Sequence, residues 1–171
     1  MCDRLAGVVE TVDLVLAEAR GLALCGPHFR IIHKFQEAGS ICLPGEEVAD
    51  VQLVFRARDC ELALPLCLRI LFDYLARRRQ RPQSASQIVA GLRADAFSLK
   101  HGTNARLRTK LTRRFSHSAI KEYVKRLRQA LQMAFEETGL KIDAAAVLKS
   151  EATVGNEVRY RLKATVEWIH V

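Results

Sequence analysis

The sequence has few of the features that define membrane, secreted or fibrous proteins. Aromatic residues make up only 6% of its 171 residues, and there are 4 prolines and 9 glycines, which excludes collagen-like and low-complexity classes. The longest apolar runs, such as Leu62 to Leu68, fall far short of the ~20 residues that span a bilayer. No basic segment precedes an apolar one near the first residue, as a signal peptide requires. We therefore expect a cytoplasmic globular protein of one or two small domains.

The cysteines do not follow a pattern typical of disulfides or zinc sites. Their number is odd, no pair has Cys-x-x-Cys spacing, and they lie at Cys2, Cys25, Cys42, Cys60 and Cys67. This usage is typical of reduced, buried residues. Cys25, His28 and His33 could supply three metal ligands, but no obvious fourth ligand follows them. We expect neither a metal nor another cofactor.

The motifs of common enzyme sites are also missing. The chain has no Gly-rich phosphate loop, no His-Glu-x-x-His and no nucleophile elbow. A nuclease metal centre would need paired carboxylates among the basic residues, and Asp95 alone cannot hold magnesium. The sequence therefore predicts a protein that is not an enzyme.

Positive charge is concentrated in one segment of a chain whose formal net charge is +8. Residues 77–128 contain fifteen Lys or Arg side chains against Asp95 and Glu122, a local net charge of +13, whereas residues 1–76 have −4 and residues 129–171 have −1. Such a block attracts polyanions, and nucleic acid is the commonest polyanion in the cytosol. The alternative is a solvated surface without a partner. A membrane surface is disfavoured because no basic amphipathic helix with large aromatic anchors is present.

The first part of the sequence predicts one helix and one β-hairpin. Apolar residues recur at helical spacing between residues 5 and 19, and acidic residues lie elsewhere on this segment. They are Leu5, Val8, Val12 and either Val15 or Leu16. The apolar segment 28–35 fits either a helix or a strand. Alternation in 51–55, a turn near residue 58 and a second extended run to residue 64 predict the hairpin.

Two helices are predicted after this hairpin. The first begins near Pro65, and its apolar residues repeat at i, i+3, i+4 and i+7. Ser84 and Gln87 have the spacing of a capping box, in which each side chain bonds the backbone of the other, and they begin a short second helix. Residues 93–115 are basic and irregular.

A third helix and a terminal β-hairpin complete the pattern. Ser116 or Ser118 can cap the helix, its apolar residues repeat at three- and four-residue steps, and Gly139 ends it. Two extended runs then surround a Gly155-Asn156 turn and predict a hairpin over residues 147–166.

This order of elements predicts an α+β winged helix-turn-helix, with a three-helix core, an N-terminal hairpin, a C-terminal wing hairpin and an additional N-terminal amphipathic helix. In such a fold the third helix enters the major groove, and the wing contacts the backbone or an adjacent groove. We divide the chain into residues 51–171, the DNA-binding domain, and residues 1–50. The N-terminal helix in 1–50 either covers the core or forms a homodimer.

Two segments resemble a known family. Residues 124–131, Val-Lys-Arg-Leu-Arg-Gln-Ala-Leu, resemble the recognition-helix signature of the OmpR/PhoB-type winged-helix output domains of bacterial response regulators. Residues 153–154 and 160–162, Thr-Val and Tyr-Arg-Leu, are similar to that family's wing, and the resemblance covers about residues 51–162. Glu122 departs from it at a usually apolar position, and the preceding residues are too few for a receiver domain. The resemblance implies a stand-alone bacterial transcriptional regulator, associated with the nucleoid, that binds double-stranded DNA without a phosphorylation switch.

Twelve side chains are predicted to contact DNA. Those expected to face the groove from the third helix are Ser118, Lys121, Lys125 and Arg128, with Arg126 on the flank against a phosphate or an internal carboxylate. Alternation places Arg159 and Arg161 on one face of the wing and Tyr160 on the other, toward the core. The expected phosphate clamps are Arg106, Arg108, Lys110, Arg113 and Arg114, which set affinity rather than sequence preference.

A winged helix that docks protein or RNA is the alternative function, because one fold serves many functions. The aromatic residues of the basic segment, Phe97, Phe115 and Tyr123, are too scattered to predict a platform for stacked bases. Duplex DNA is therefore favoured over RNA.

Overall fold

The computed structural model describes residues 16, 20–21, 26–33, 48–56, 58–98, 113–153 and 155–170. Within these ranges there are seven strands in two sheets and four helices, which is the α+β class expected from the sequence. The helix predicted for residues 5–19 lies almost entirely outside the described residues. So do Arg106, Arg108 and Lys110.

One sheet has four strands drawn from distant parts of the chain. They are β1 (His28–His33), β2 (Val48–Phe55), β3 (Arg58–Leu62) and β7 (Thr165–His170). Their order is β3-β2-β1-β7, with antiparallel pairing from β1 to β3 and parallel pairing between β1 and β7. Val51, Leu53 and Phe55 are buried on one face while Gln52 and Val54 remain partly exposed on the other, so the predicted hairpin is confirmed.

The helices of the described fold are α1 (Leu66–Arg77), α2 (Ala85–Ser98), α3 (His117–Thr138) and the single turn α4 (Ala144–Val147). Leu68, Leu71 and Leu75 lie on one face of α1 and are buried, which confirms the helix predicted after Pro65. The longest helix, α3, packs against α1, α2 and β3. Its central position makes it the element around which the other helices assemble.

Side-chain caps determine where two of these helices begin. Ser84 Oγ accepts a hydrogen bond from the backbone N–H of Gln87 at 3.2 Å, and Gln87 Oε1 accepts one from the backbone N–H of Ser84 at 2.9 Å. The predicted capping box is therefore confirmed. Ser116 Oγ accepts from the N–H of Ala119 at 3.2 Å and begins α3, which ends at Gly139 as predicted.

The second sheet contains the predicted C-terminal hairpin, for which we keep the name wing, and one strand that the sequence pattern did not predict. Its strands are β4 (Gln83–Ser84), β5 (Leu148–Ala152) and β6 (Val158–Leu162), all antiparallel and in the order β4-β6-β5. The β5-β6 hairpin turns at Gly155 and Asn156, both of which have positive φ, as the sequence indicates. The short strand β4 joins this hairpin to the start of α2.

The predicted second strand of the wing, residues 158–166, is wrong in its length. Strand β6 ends at Leu162, and the chain then enters the other sheet as β7. The crossing is tight because Gly26 packs on the backbone of Lys163: a Cβ atom at Gly26 would lie 2.2 Å from the Lys163 carbonyl oxygen. Only glycine allows this approach, which brings β7 beside β1.

Phe29 of β1 joins the sheet to the helices. Its ring makes an edge contact with Phe72 of α1 at 5.1 Å between centroids and lies 6.4 Å from the ring of Phe135 in α3. Trp168 of β7 adds a polar link, since its Nε1 donates to Asp73 Oδ1 at 3.0 Å. Residues 28–33, for which the sequence fitted either a helix or a strand, thus form a strand of the main core. The domain boundary predicted after residue 50 falls inside β2.

Within the described ranges, no helix is both long and apolar enough to cross a membrane.

Candidate nucleic-acid interface

The face of α3 opposite its buried stripe carries two lysines that project into solvent. Ile120, Val124 and Leu127 are buried, whereas Lys121 and Lys125 are exposed one turn apart. No acidic side chain among the described residues forms an ion pair with either lysine. Two adjacent positive charges are therefore available to an external anion.

The neighbouring charged residues of this face are paired with each other. Arg126 Nε donates to Glu122 Oε1 at 3.0 Å in an exposed i, i+4 pair. An internal carboxylate is one of the two partners predicted for Arg126, the other being a phosphate. Ser118 is exposed at the start of the helix, and its hydroxyl lies 3.2 Å from that of Ser116.

Arg128 is oriented toward the wing and is held by it. Its Nε donates to the backbone carbonyl of Leu148 at 2.8 Å, and its Nη2 donates to Ser150 Oγ at 2.6 Å. Both acceptors belong to β5. The guanidinium that was predicted to face the groove thus connects α3 to the second sheet.

The arginines of the wing alternate with a buried tyrosine, as predicted. Tyr160 is buried, and this burial raises the pKa of its hydroxyl although the charge of Arg128 opposes the rise. Arg159 Nη2 lies 3.3 Å from Glu157 Oε2, and Arg161 Nη2 donates to Glu151 Oε1. Both wing arginines therefore have an intrachain carboxylate that a phosphate would have to replace.

Two arginines that precede Phe115 and the α3 cap add exposed cationic charge. Arg113 and Arg114 are both exposed. The backbone here is anchored because the Tyr123 hydroxyl donates to the carbonyl of Arg114 at 2.9 Å and the Tyr123 ring makes an edge contact with buried Phe115 at 5.8 Å. Burial is also the main cause that raises the pKa of the Tyr123 hydroxyl. Long charged side chains are thus carried by a fixed backbone.

A contact between two helix N-termini was not predicted. Ser86 Oγ, at the start of α2, lies 2.9 Å from His117 Nε2, at the start of α3. Unpaired backbone N–H groups and the positive end of the helix dipole make such termini favourable to anions. The capping box at residues 84–87 and the serine cap of α3 predicted where each helix begins, but neither indicated that the two helix starts lie side by side.

The structure describes no metal-binding group. Within the described ranges, no three His, Cys, Asp or Glu side chains are placed to hold an ion. Cys25 of the trio considered above lies outside these ranges. Buried Cys60 lies 3.5 Å from Glu137 Oε2, and burial followed by this contact raises the pKa of its thiol.

Comparisons of the chain with protein-family models, with curated proteins and with solved structures give no match. The functional interpretation therefore depends on the geometry and charge of the described residues.

Proposed function

We propose that this chain is a winged-helix protein that binds double-stranded DNA and regulates transcription. The supporting arrangement is three helices followed by an antiparallel hairpin that packs beside the third helix, with the hairpin held to that helix by Arg128. In winged helices these two elements reach adjacent parts of one duplex.

The observation that carries the proposal is the pair of exposed lysines on α3, neither of which forms an ion pair with a described acidic side chain. This helix has 22 residues, which is about 33 Å of length, and a major groove about 12 Å wide admits one helix. Lys121 and Lys125 occupy the face turned away from the core, so they point into the groove when α3 does. Ser118 and the exposed amide of Gln129 lie on the same face and supply neutral hydrogen-bonding groups.

Phosphate contacts come from elements on either side of α3. Arg113 and Arg114 precede the helix, and Arg159 and Arg161 lie on the wing. The wing arginines exchange Glu157 and Glu151 for phosphates on binding, so their net contribution is smaller than that of residues without an internal partner.

The aromatic side chains favour duplex DNA over single-stranded RNA. Recognition of unpaired bases uses exposed aromatic rings on which bases stack. Of the Phe, Tyr and Trp side chains whose burial the structure describes, none is exposed, and Phe115 beside the basic face is 4% exposed. A groove and its phosphates need no such platform.

A competition assay with matched variants tests this function. We expect a labelled duplex of random sequence to be displaced far more readily by unlabelled duplex DNA than by single-stranded RNA. Lys125→Ala weakens duplex binding, whereas Lys141→Ala, which removes an exposed lysine beyond the other end of α3, leaves it nearly unchanged. Stronger displacement by RNA, equal effects of the two variants, or no salt-dependent binding to either nucleic acid would contradict the proposal, and the last result would favour a protein-docking module.

A further inference from the structure

The turn between α1 and β4 carries four arginines within residues 77–81, and it belongs to none of the contacts considered so far. We call it the arginine turn. Two of its members are used within the chain: Arg77 Nε donates to Asp73 Oδ2 at 2.8 Å, and the Arg78 guanidinium lies 4.4 Å from the centroid of the Tyr74 ring. Arg79 and Arg81 are exposed, and no acidic side chain among the described residues forms an ion pair with either of them.

The backbone of the arginine turn is well defined by its own hydrogen bonds. The N–H of Arg79 donates to the Ala76 carbonyl at 3.1 Å, and the N–H of Arg81 donates to the Arg78 carbonyl at 3.0 Å. Arg79 and Gln80 both have left-handed backbones, with φ of 49° and 65°. Residues other than glycine, asparagine and aspartate are uncommon in this left-handed conformation. The turn thus directs two long cationic side chains outward from a fixed backbone.

Stabilisation of the helix end does not account for these two arginines. The last carbonyls of α1 already accept backbone N–H groups, from Arg78 to Leu75 at 3.2 Å and from Arg79 to Ala76. The field of the helix dipole decays within the last turn, which contains Arg77. Arg79 and Arg81 lie beyond it.

The arginine turn is close to the wing along the second sheet. Ser84 of β4 pairs with Arg159 of β6. Ser84 is the third residue after Arg81, a span of at most about 10 Å. Successive phosphates of one strand advance about 3.4 Å along the duplex axis, so this span corresponds to about three base pairs.

We propose that Arg79 and Arg81 bind backbone phosphates of the same duplex, on the flank beyond those reached by the wing. The inference rests on the proposed DNA-binding function and extends its footprint. These side chains contact no base edge, so they contribute affinity that does not depend on sequence.

Salt dependence of DNA binding measures the number of phosphates contacted, and it tests this proposal directly. Each phosphate contact contributes about 0.9 to the slope of log K against log salt. Arg79→Gln/Arg81→Gln is expected to reduce that slope by about 1 to 2, and to weaken binding to a random duplex about 10- to 60-fold at about 0.1 M salt. Arg79→Lys/Arg81→Lys restores the wild-type slope, because a lysine keeps the charge.

A matched control removes two arginines from a turn of the other sheet. In Arg56→Gln/Arg58→Gln the first residue also has a left-handed backbone, with φ of 51°, and the same charge is lost. These residues precede Cys60, which contacts Glu137 at the C-terminal end of α3. This end of the helix is the one farther from Lys121 and Lys125, so we expect the variant to keep the wild-type slope.

Three results separate the possible failures. A wild-type slope in Arg79→Gln/Arg81→Gln, alongside a reduced slope in Lys121→Ala/Lys125→Ala, overturns the arginine-turn contact and leaves the proposed function intact. Equal reductions in the Arg79/Arg81 and Arg56/Arg58 variants overturn it too, because only net charge would then matter. No binding by the wild-type chain overturns both proposals.

Discussion

Replacing Arg128 with methionine breaks the link between α3 and the wing while keeping a long unbranched side chain. Two hydrogen bonds are lost, one to the carbonyl of fully buried Leu148 and one to the exposed Ser150 hydroxyl. A hydrogen bond from a charged donor contributes about 1.5 to 3 kcal/mol, and less where water competes. We therefore expect Arg128→Met to lower the free energy of unfolding by about 2 to 3 kcal/mol.

Thermal unfolding followed by circular dichroism measures this loss, and Arg126→Met is the control. In a domain of this size each 1 kcal/mol lowers Tm by about 2 to 4 °C, so Arg128→Met lowers it by about 4 to 12 °C. Among the described residues, the ion pair of Arg126 is the exposed one with Glu122, which contributes about 0.5 kcal/mol or less. Equal Tm values for the two variants would refute the wing-anchoring role.

DNA binding by the same variant separates anchoring from direct contact. If Arg128 only positions the wing, Arg128→Met weakens binding but keeps the wild-type slope of log K against log salt. A slope reduced by about 1 would instead mean that Arg128 contacts a phosphate.

Three further predictions concern stability. Gly91→Ala is expected to lower the free energy of unfolding in urea by about 1 to 3 kcal/mol, although alanine has the better helix propensity. The cause is steric, because a Cβ at this position would lie 2.3 Å from the Tyr74 hydroxyl oxygen. An unchanged urea midpoint would contradict this contact. Ser84→Ala removes one side of the capping box and costs about 1 kcal/mol by the same assay, whereas no loss would mean that the cap does not stabilise α2. Burial raises the pKa values of Cys60 and Tyr160 in the folded protein. The folded state therefore favours the neutral side chains, and this contribution to stability is fully present below the pKa values of the unfolded chain. It declines as the pH rises above about 8.5, where the unfolded chain begins to ionise. Urea midpoints that rise with pH across this range would have the wrong sign.

Local signals in the sequence predicted the local features well. The Ser84–Gln87 spacing gave a capping box because both hydrogen bonds form within four residues, and Gly139 ended α3 for an equally local reason. The alternation around residues 51–55 predicted the first hairpin. The Gly155-Asn156 turn predicted the second.

Long-range pairings could not be predicted in the same way. Strand β7 pairs in parallel with β1 across more than one hundred residues, and such pairing leaves no turn motif in the sequence. The two-residue strand β4 is too short to show a pattern. Directly after the end of β6 at Leu162, Lys163 lies against Gly26, and only the folded chain brings these two residues together.

The same difference between local and long-range features applies to the candidate site. Helical periodicity sufficed to place Lys121 and Lys125 opposite the core. It could not show that Arg128 bonds to β5, since the position of that strand depends on tertiary packing. The arginine turn was part of the basic segment, but its proximity to the wing follows from the β4-β6 pairing.

We propose that α3 binds duplex DNA through its exposed lysines. The most direct measurement is the affinity for random duplexes of about 30 base pairs across a salt series, with the wild-type chain beside Lys121→Ala/Lys125→Ala. We expect tight binding at low salt with a steep negative slope, and a slope shallower by about 2 in the variant. Absence of wild-type binding at low salt, or identical slopes for the two proteins, would contradict it.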